Sequence, residues 1–130
     1  MIGLDTNILL RFFTRDDDEQ SPKAYQIIRQ CSESNPGFIS SVVLAEFVWT
    51  LKRRYGYQQE DIATALDALI YSKEIRLEYP DAMQYALKLY RDSAVDFPDA
   101  MIGAIAKLNG CDATLTFDKR AAKLDLFKMV

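Results

Sequence analysis

The chain has 130 residues, 49% hydrophobic and 27% charged, with a formal net charge of −3, which suits a single domain over residues 1–130 built on one core. No apolar run nears the roughly 18 residues a membrane helix needs, and two cysteines, Cys31 and Cys111, make no disulfide framework. Histidine is absent, which excludes Ser-His-Asp and Cys-His nucleophiles, histidine-driven cleavage of RNA and histidine-containing zinc sites.

A strand is predicted over about Met1–Leu4. No basic leader or small-residue cleavage site precedes it, so a cytoplasmic location is expected, in keeping with the cysteine usage. Asp5 interrupts the apolar run, which Ile8, Leu9 and Leu10 resume. The next element assigned is a helix opening at Ser21-Pro22, with Ser as N-cap and Pro at the first helical position. It carries Tyr25, Ile28 and Cys31 on one stripe. Asn35-Pro36-Gly37 is a turn and Phe38-Ile39 a short strand, after which Ser40 or Ser41 caps a helix over Val42–Tyr55 that Gly56 stops. A helix with Ile62, Ala65, Leu66 and Leu69, a strand at Ile75–Glu78 and a helix opened by Pro80 follow. Phe97–Asn109 reads as a helix, Ala113–Phe117 as a strand, Lys119–Leu124 as a helical turn or two, and Phe127–Val130 as a last strand. This alternation predicts an α/β protein: a central parallel sheet of about five short strands flanked by helices on both faces, a three-layer sandwich. Ligands in such sheets sit beyond the carboxyl ends of the strands.

The carboxylates fall at those ends. Asp5 follows the first predicted strand and Asp118 follows Ala113–Phe117; each is either half of an acidic site or the cap of the turn after its strand. Glu46 has Val42, Val43, Trp49 and Thr50 as neighbours on its helical face, so it is either exposed at an edge or turned into a polar pocket. In Asp96-Phe97-Pro98-Asp99, Asp96 fits an N-cap and Asp99 a capping-box acid. The small residues Ala100, Gly103, Ala104 and Ala106 would let that helix pack close to the sheet and bring Asp99 near the strand ends. Grouped acids repel unless a cation compensates them, and with oxygen donors alone that cation is Mg²⁺ or Mn²⁺. Such an ion suits phosphoryl transfer to water.

Leu4-Asp5-Thr6-Asn7, Ala45-Glu46, Asp96-Phe97-Pro98-Asp99-Ala100-Met101-Ile102 and Thr116-Phe117-Asp118, in this order, resemble the motifs of the PIN-domain nucleases, most closely the VapC-type toxins of toxin–antitoxin pairs. The resemblance covers essentially the whole chain. It implies a PIN-like domain and metal-dependent hydrolysis of single-stranded RNA by an acidic quartet of Asp5, Glu46, Asp99 and Asp118. Asp5, Asp99 and Asp118 would hold Mg²⁺ or Mn²⁺, and Glu46 would complete the shell or orient water. Thr6, Asn7, Asp96 and Thr116 would support the pocket. It also implies a homodimer and a cognate antitoxin protein as partners. The net charge alone argues against a nucleic-acid partner, but acids gathered around an ion leave basic side chains to meet phosphate. Lys119 and Arg120, directly after Asp118, are the favoured candidates; Arg11, Arg15, Lys52, Arg53 and Arg54 are others, unless they only complete solvated faces and helix ends. Of the aromatic residues, Trp49 among them, one or two could stack on RNA bases, but most are read as core or dimer interface and none is assigned to substrate.

Three other readings stand beside the toxin nuclease. One keeps the chemistry and makes the protein an RNA-processing or decay enzyme. Another is a Mg²⁺-dependent phosphatase with Asp5 as nucleophile, disfavoured because Asn7 stands where a second Asp is needed. The last is a non-catalytic binding module, against which the complete acidic quartet argues.

Overall fold

Three short parallel strands begin the architecture in the computed structural model, which describes residues 1–130. They are β1 (Ile2–Gly3), β2 (Gly37–Ile39) and β3 (Ile75–Leu77), in the order β1-β2-β3. Ile2 lies opposite Gly37, which lies opposite Ile75. Gly37 keeps this packing close, because a Cβ would come within 2.6 Å of Leu4 Cδ1 and 3.1 Å of Cys31 Sγ and Leu4 would have to shift. These strands belong to the first of two compact units, Met1–Glu78; the second is Tyr79–Val130.

Paired helices connect the strands of the first unit: α1 (Thr6–Thr14) and α2 (Gln20–Gln30) between β1 and β2, then α3 (Ser41–Arg53) and α4 (Gln59–Ile70) between β2 and β3. Helix α1 was not assigned from the sequence. Its Ile8-Leu9-Leu10 run reads like a strand, and what makes it helical is tertiary: Leu9 and Leu10 are buried, with α1 packed on α2 and α3. Helix α2 starts before the expected Ser21 cap, because Asp17 Oδ1 accepts from the amides of Glu19 at 3.0 Å and Gln20 at 2.7 Å. Ser21 is buried inside the first turn instead. Ala24 is the other buried residue of this helix, while Tyr25 stacks on Phe12 with ring centroids 6.1 Å apart. Ser40, of the two serines considered, caps α3 by accepting from the Val43 amide at 3.2 Å. Gly56, at φ 66°, takes the left-handed turn after it. Leu44, Phe47, Leu51, Ile62 and Leu66 face inward with Leu9 and Ile39, each contributing about 1.5–3 kcal/mol of burial free energy.

The second unit holds α5 (Pro80–Asp92), α6 (Phe97–Leu108), and the parallel pair β4 (Thr114–Thr116) and β5 (Phe127–Met129). A 3-10 turn at Ala121–Lys123 lies between the two strands. Tyr90 of α5 meets Phe97 of α6 edge-on at 5.7 Å. The small residues of α6 work as expected: a Cβ on Gly103 would stand 2.7 Å from the Phe127 ring, so this helix lies against β5. The α/β class and the parallel pairing match the sequence reading. The five strands are grouped as three in the first unit and two in the second. Strands of three residues make few ladder bonds, and β4 makes its own with β5, Thr114 opposite Phe127.

Candidate active site

Asp5 stands where β1 ends and α1 begins. Its backbone is extended, its Oδ1 accepts from the Thr6 amide at 2.7 Å, and its carbonyl accepts from the Ile8 amide at 3.1 Å. A carboxylate is favoured there by the unpaired N–H groups and positive end of the helix. The cap reading of Asp5 therefore holds, and a carboxylate that caps with one oxygen keeps a second for other partners. Thr6 is buried at 4% exposure, and its hydroxyl donates to Glu46 Oε1. That bond ties the first residue of α1 to the middle of α3, so Asp5 and Glu46 share a neighbourhood through Thr6. Of the two readings for Glu46, the structure shows the exposed one, with a single defined partner. Asn7 is exposed and lines a groove of about 410 Å³ with Ile8, Gln20, Lys23 and Ile27. Arg11, a phosphate candidate in the sequence, is engaged locally. It donates to Gln20 Oε1 at 2.8 Å and to Asp16 Oδ1 and the Tyr55 hydroxyl, both at 3.2 Å.

The second unit repeats the strand–Asp–turn arrangement. Asp118 follows β4; its amide donates to Thr116 Oγ1 at 2.9 Å, and its Oδ1 accepts from the amides of Arg120 at 2.8 Å and Ala121 at 3.4 Å. Asp118 thus caps the 3-10 turn, and Thr116 fixes the loop from which it projects. Lys119 and Arg120 are exposed on that turn, and Phe117 before it is 82% exposed. Asp96 takes the N-cap position of α6 with extended backbone, but its carboxylate makes no capping bond. The capping role expected for it belongs to its backbone alone, whose carbonyl accepts from the Ala100 amide at 3.1 Å.

Asp99, in the first turn of α6, is half-buried. Burial pushes its carboxyl above the usual range, and the neighbouring charges of Asp118 and then Asp96 push it further the same way. Asp96 also helps burial raise the Tyr90 phenol. The sequence placed Asp96 and Asp99 together by adjacency; that Asp118 joins them follows from the close approach of α6 to the β4–β5 pair.

The structure thus brings Asp5, Thr6 and Glu46 together in one unit and Asp96, Asp99 and Asp118 in the other. Within neither unit do three metal-ligating side chains converge as a ready-made cluster. The donors are all oxygen, in a chain without histidine, and Asp99 is burdened by like charge; both features fit a hard divalent cation. What sequence reasoning missed is the hydrogen bond that makes Thr6 more than a neighbour of Asp5. No local pattern signals a partner forty positions away.

A model of the PIN domain family matches residues 2–126, spanning both units. A protein named VapC ribonuclease, from Aquifex aeolicus (strain VF5), is 27% identical over 128 residues, covering 98% of this chain and 93% of the relative. The family match takes in every acidic residue described above, and the chain belongs to the PIN domain family.

Proposed function

We propose that the protein is a Mg²⁺- or Mn²⁺-dependent endoribonuclease that hydrolyses phosphodiesters of single-stranded RNA, acting as the toxin of a toxin–antitoxin pair. The observation that carries the reading is the PIN domain family match over residues 2–126, which takes in Asp5, Glu46, Asp99 and Asp118. The carboxyl of Asp99, raised by burial and by Asp118 and Asp96, adds to it, because acids so placed become favourable when a cation compensates them. Membership of the PIN domain family and the likeness to a VapC ribonuclease support the choice of RNA and of the toxin role.

Asp5, Asp99 and Asp118 are the proposed ligands, an assignment resting on the order of the motifs along the chain and on the oxygen chemistry of the set. A bound ion there supplies neutralisation of phosphate charge and a lowered pKa for water. Glu46, held by Thr6, orients the attacking water, and Asp96 adds negative charge that strengthens ion binding. Asn7 and Thr116 support the residues on either side. Lys119 and Arg120, exposed beside Asp118, meet substrate phosphate. A homodimer and a cognate antitoxin protein complete the proposal, with action in the cytoplasm; no helix is long and apolar enough to cross a membrane.

The test is cleavage of a mixed single-stranded RNA by purified protein with Mn²⁺ or Mg²⁺, with EDTA, and with Asp5→Asn as contamination control. Cutting that needs the ion and disappears in the variant is the expected result. Cutting that persists in EDTA, or at wild-type rate in folded Asp5→Asn, overturns the reading.

A further inference from the structure

Val42, Glu46, Trp49 and Arg53 fall on one narrow stripe of α3, each three or four residues from the next. The opposite face is buried through Leu44, Phe47, Val48 and Leu51. The stripe is open: Val42 is 77% exposed, Trp49 is 52% exposed, and Glu46 and Arg53 are exposed as well. Val42 and Trp49 stand one turn to either side of Glu46, the carboxylate that Thr6 holds, so the exposed indole lies on the same face as a candidate active-site acid. From Glu46 the stripe runs about 10 Å along the helix axis to Arg53, where Lys52, Arg53 and Arg54 concentrate positive charge in a chain whose net charge is −3. Those cations complement the carboxyl end of the helix. That role does not explain an indole half in water one turn away.

We infer that this stripe is a track for single-stranded RNA leading away from Glu46: a base stacks on Trp49, and Arg53 and Arg54 contact the phosphates beside it. The inference rests on the nuclease reading above and extends it to substrate positioning. An indole face accepts any base, and a guanidinium meets phosphate in a fixed two-pronged geometry. The stripe therefore supplies affinity and register without demanding one sequence.

Trp49 is the chain's single tryptophan, so its fluorescence reports on the stripe directly. A short oligoribonucleotide titrated into the protein in EDTA is expected to quench that emission. Arg53→Ala should weaken binding about 5–10-fold and lower the slope of log affinity against log salt by about 1. Trp49→Ala should raise KM for cleavage about 5–50-fold while kcat changes less than about twofold. RNA that is bound and cut without altering Trp49 emission or the KM of Trp49→Ala overturns the track and leaves the nuclease reading standing. Emission that follows protein concentration and ignores RNA identifies the stripe as a contact between two copies of the chain, and also overturns it. If wild-type protein neither binds nor cuts RNA, the nuclease reading fails, and the track with it.

Discussion

Asp5 and Asp118 occupy the same local position in different units, and they carry different electrostatic burdens. Each follows a parallel strand and uses Oδ1 to accept backbone amides at the start of the next turn. Asp5 opens the helix α1, and beside it Thr6 satisfies the Glu46 carboxylate with a hydroxyl. Asp118 opens a 3-10 turn and faces Asp99, whose carboxyl it helps to raise. One local device, the strand-end Asp cap, thus stands beside an acid that Thr6 bonds in the first unit and among mutually repelling acids in the second. The cap says where a carboxylate sits; its neighbours decide what it can do.

The largest expected effect separates capping from chemistry. Asn caps a helix as well as Asp does, so Asp5→Asn and Asp118→Asn should keep the wild-type Tm within about 2 °C. In metal-dependent RNA cleavage, Asp5→Asn and Asp99→Asn should each lose at least about 100-fold. If either variant lost activity only in proportion to lost folding, the two units would differ in stability and not in function.

Packing offers the next contrast. Gly103→Ala should destabilise the protein by about 1–3 kcal/mol, because its Cβ meets the Phe127 ring at 2.7 Å and Leu126 Cβ at 3.2 Å. Gly37→Ala should cost about 1 kcal/mol, since the atom in its way is the end of the Leu4 side chain, which can rotate. Urea unfolding orders the two, and equal losses would remove the distinction between their surroundings.

Asp17→Ala should lower Tm by about 3–5 °C through loss of the α2 cap. The Asp17 carboxyl lies below its usual range because the amides of Gln20 and Glu19 bond its charged form. Its contribution is therefore present above the ordinary Asp value and disappears as pH falls through the lowered one. The gap between wild type and variant should close at acid pH.

The smallest effect has the opposite sign. The raised carboxyl of Asp99 binds a proton in the folded state where the unfolded chain has released it, so stability falls as pH rises between the ordinary Asp value and the raised one. Asp99→Asn, compared with wild type in EDTA, should remove that fall and leave a slightly higher Tm near neutral pH. A lower Tm for the folded variant would show that Asp99 is stabilising in the absence of an ion.

Most elements could be read from local chemistry. Ser40 before an apolar helical stripe, Pro80 and Pro98 in first turns, and Gly56 after α3 all act within a few residues of themselves. The acids were legible for a related reason: a carboxylate at a strand end or inside an apolar stripe conflicts with its immediate surroundings. Where the reading missed, the deciding partner was remote or of a different kind. Helix α1 has a strand-like apolar run and becomes helical because α2 and α3 bury Leu9 and Leu10. Helix α2 begins at Gln20 because Asp17 reaches forward to two amides, displacing a plausible Ser21-Pro22 start.

The sequence by itself determined the α/β class, the parallel strands and the absence of histidine chemistry, since these follow from residue type, periodicity and order, and it offered Asp5, Glu46, Asp99 and Asp118 as candidate acids. Only the tertiary structure decided which acids meet. Thr6 reaches Glu46 because α1 packs on α3, and Asp99 senses Asp118 because Gly103 lets α6 lie against Phe127. Hydrogen bonds and carboxylate repulsion act over a few ångströms in space, and that proximity is set by packing between elements far apart in the chain.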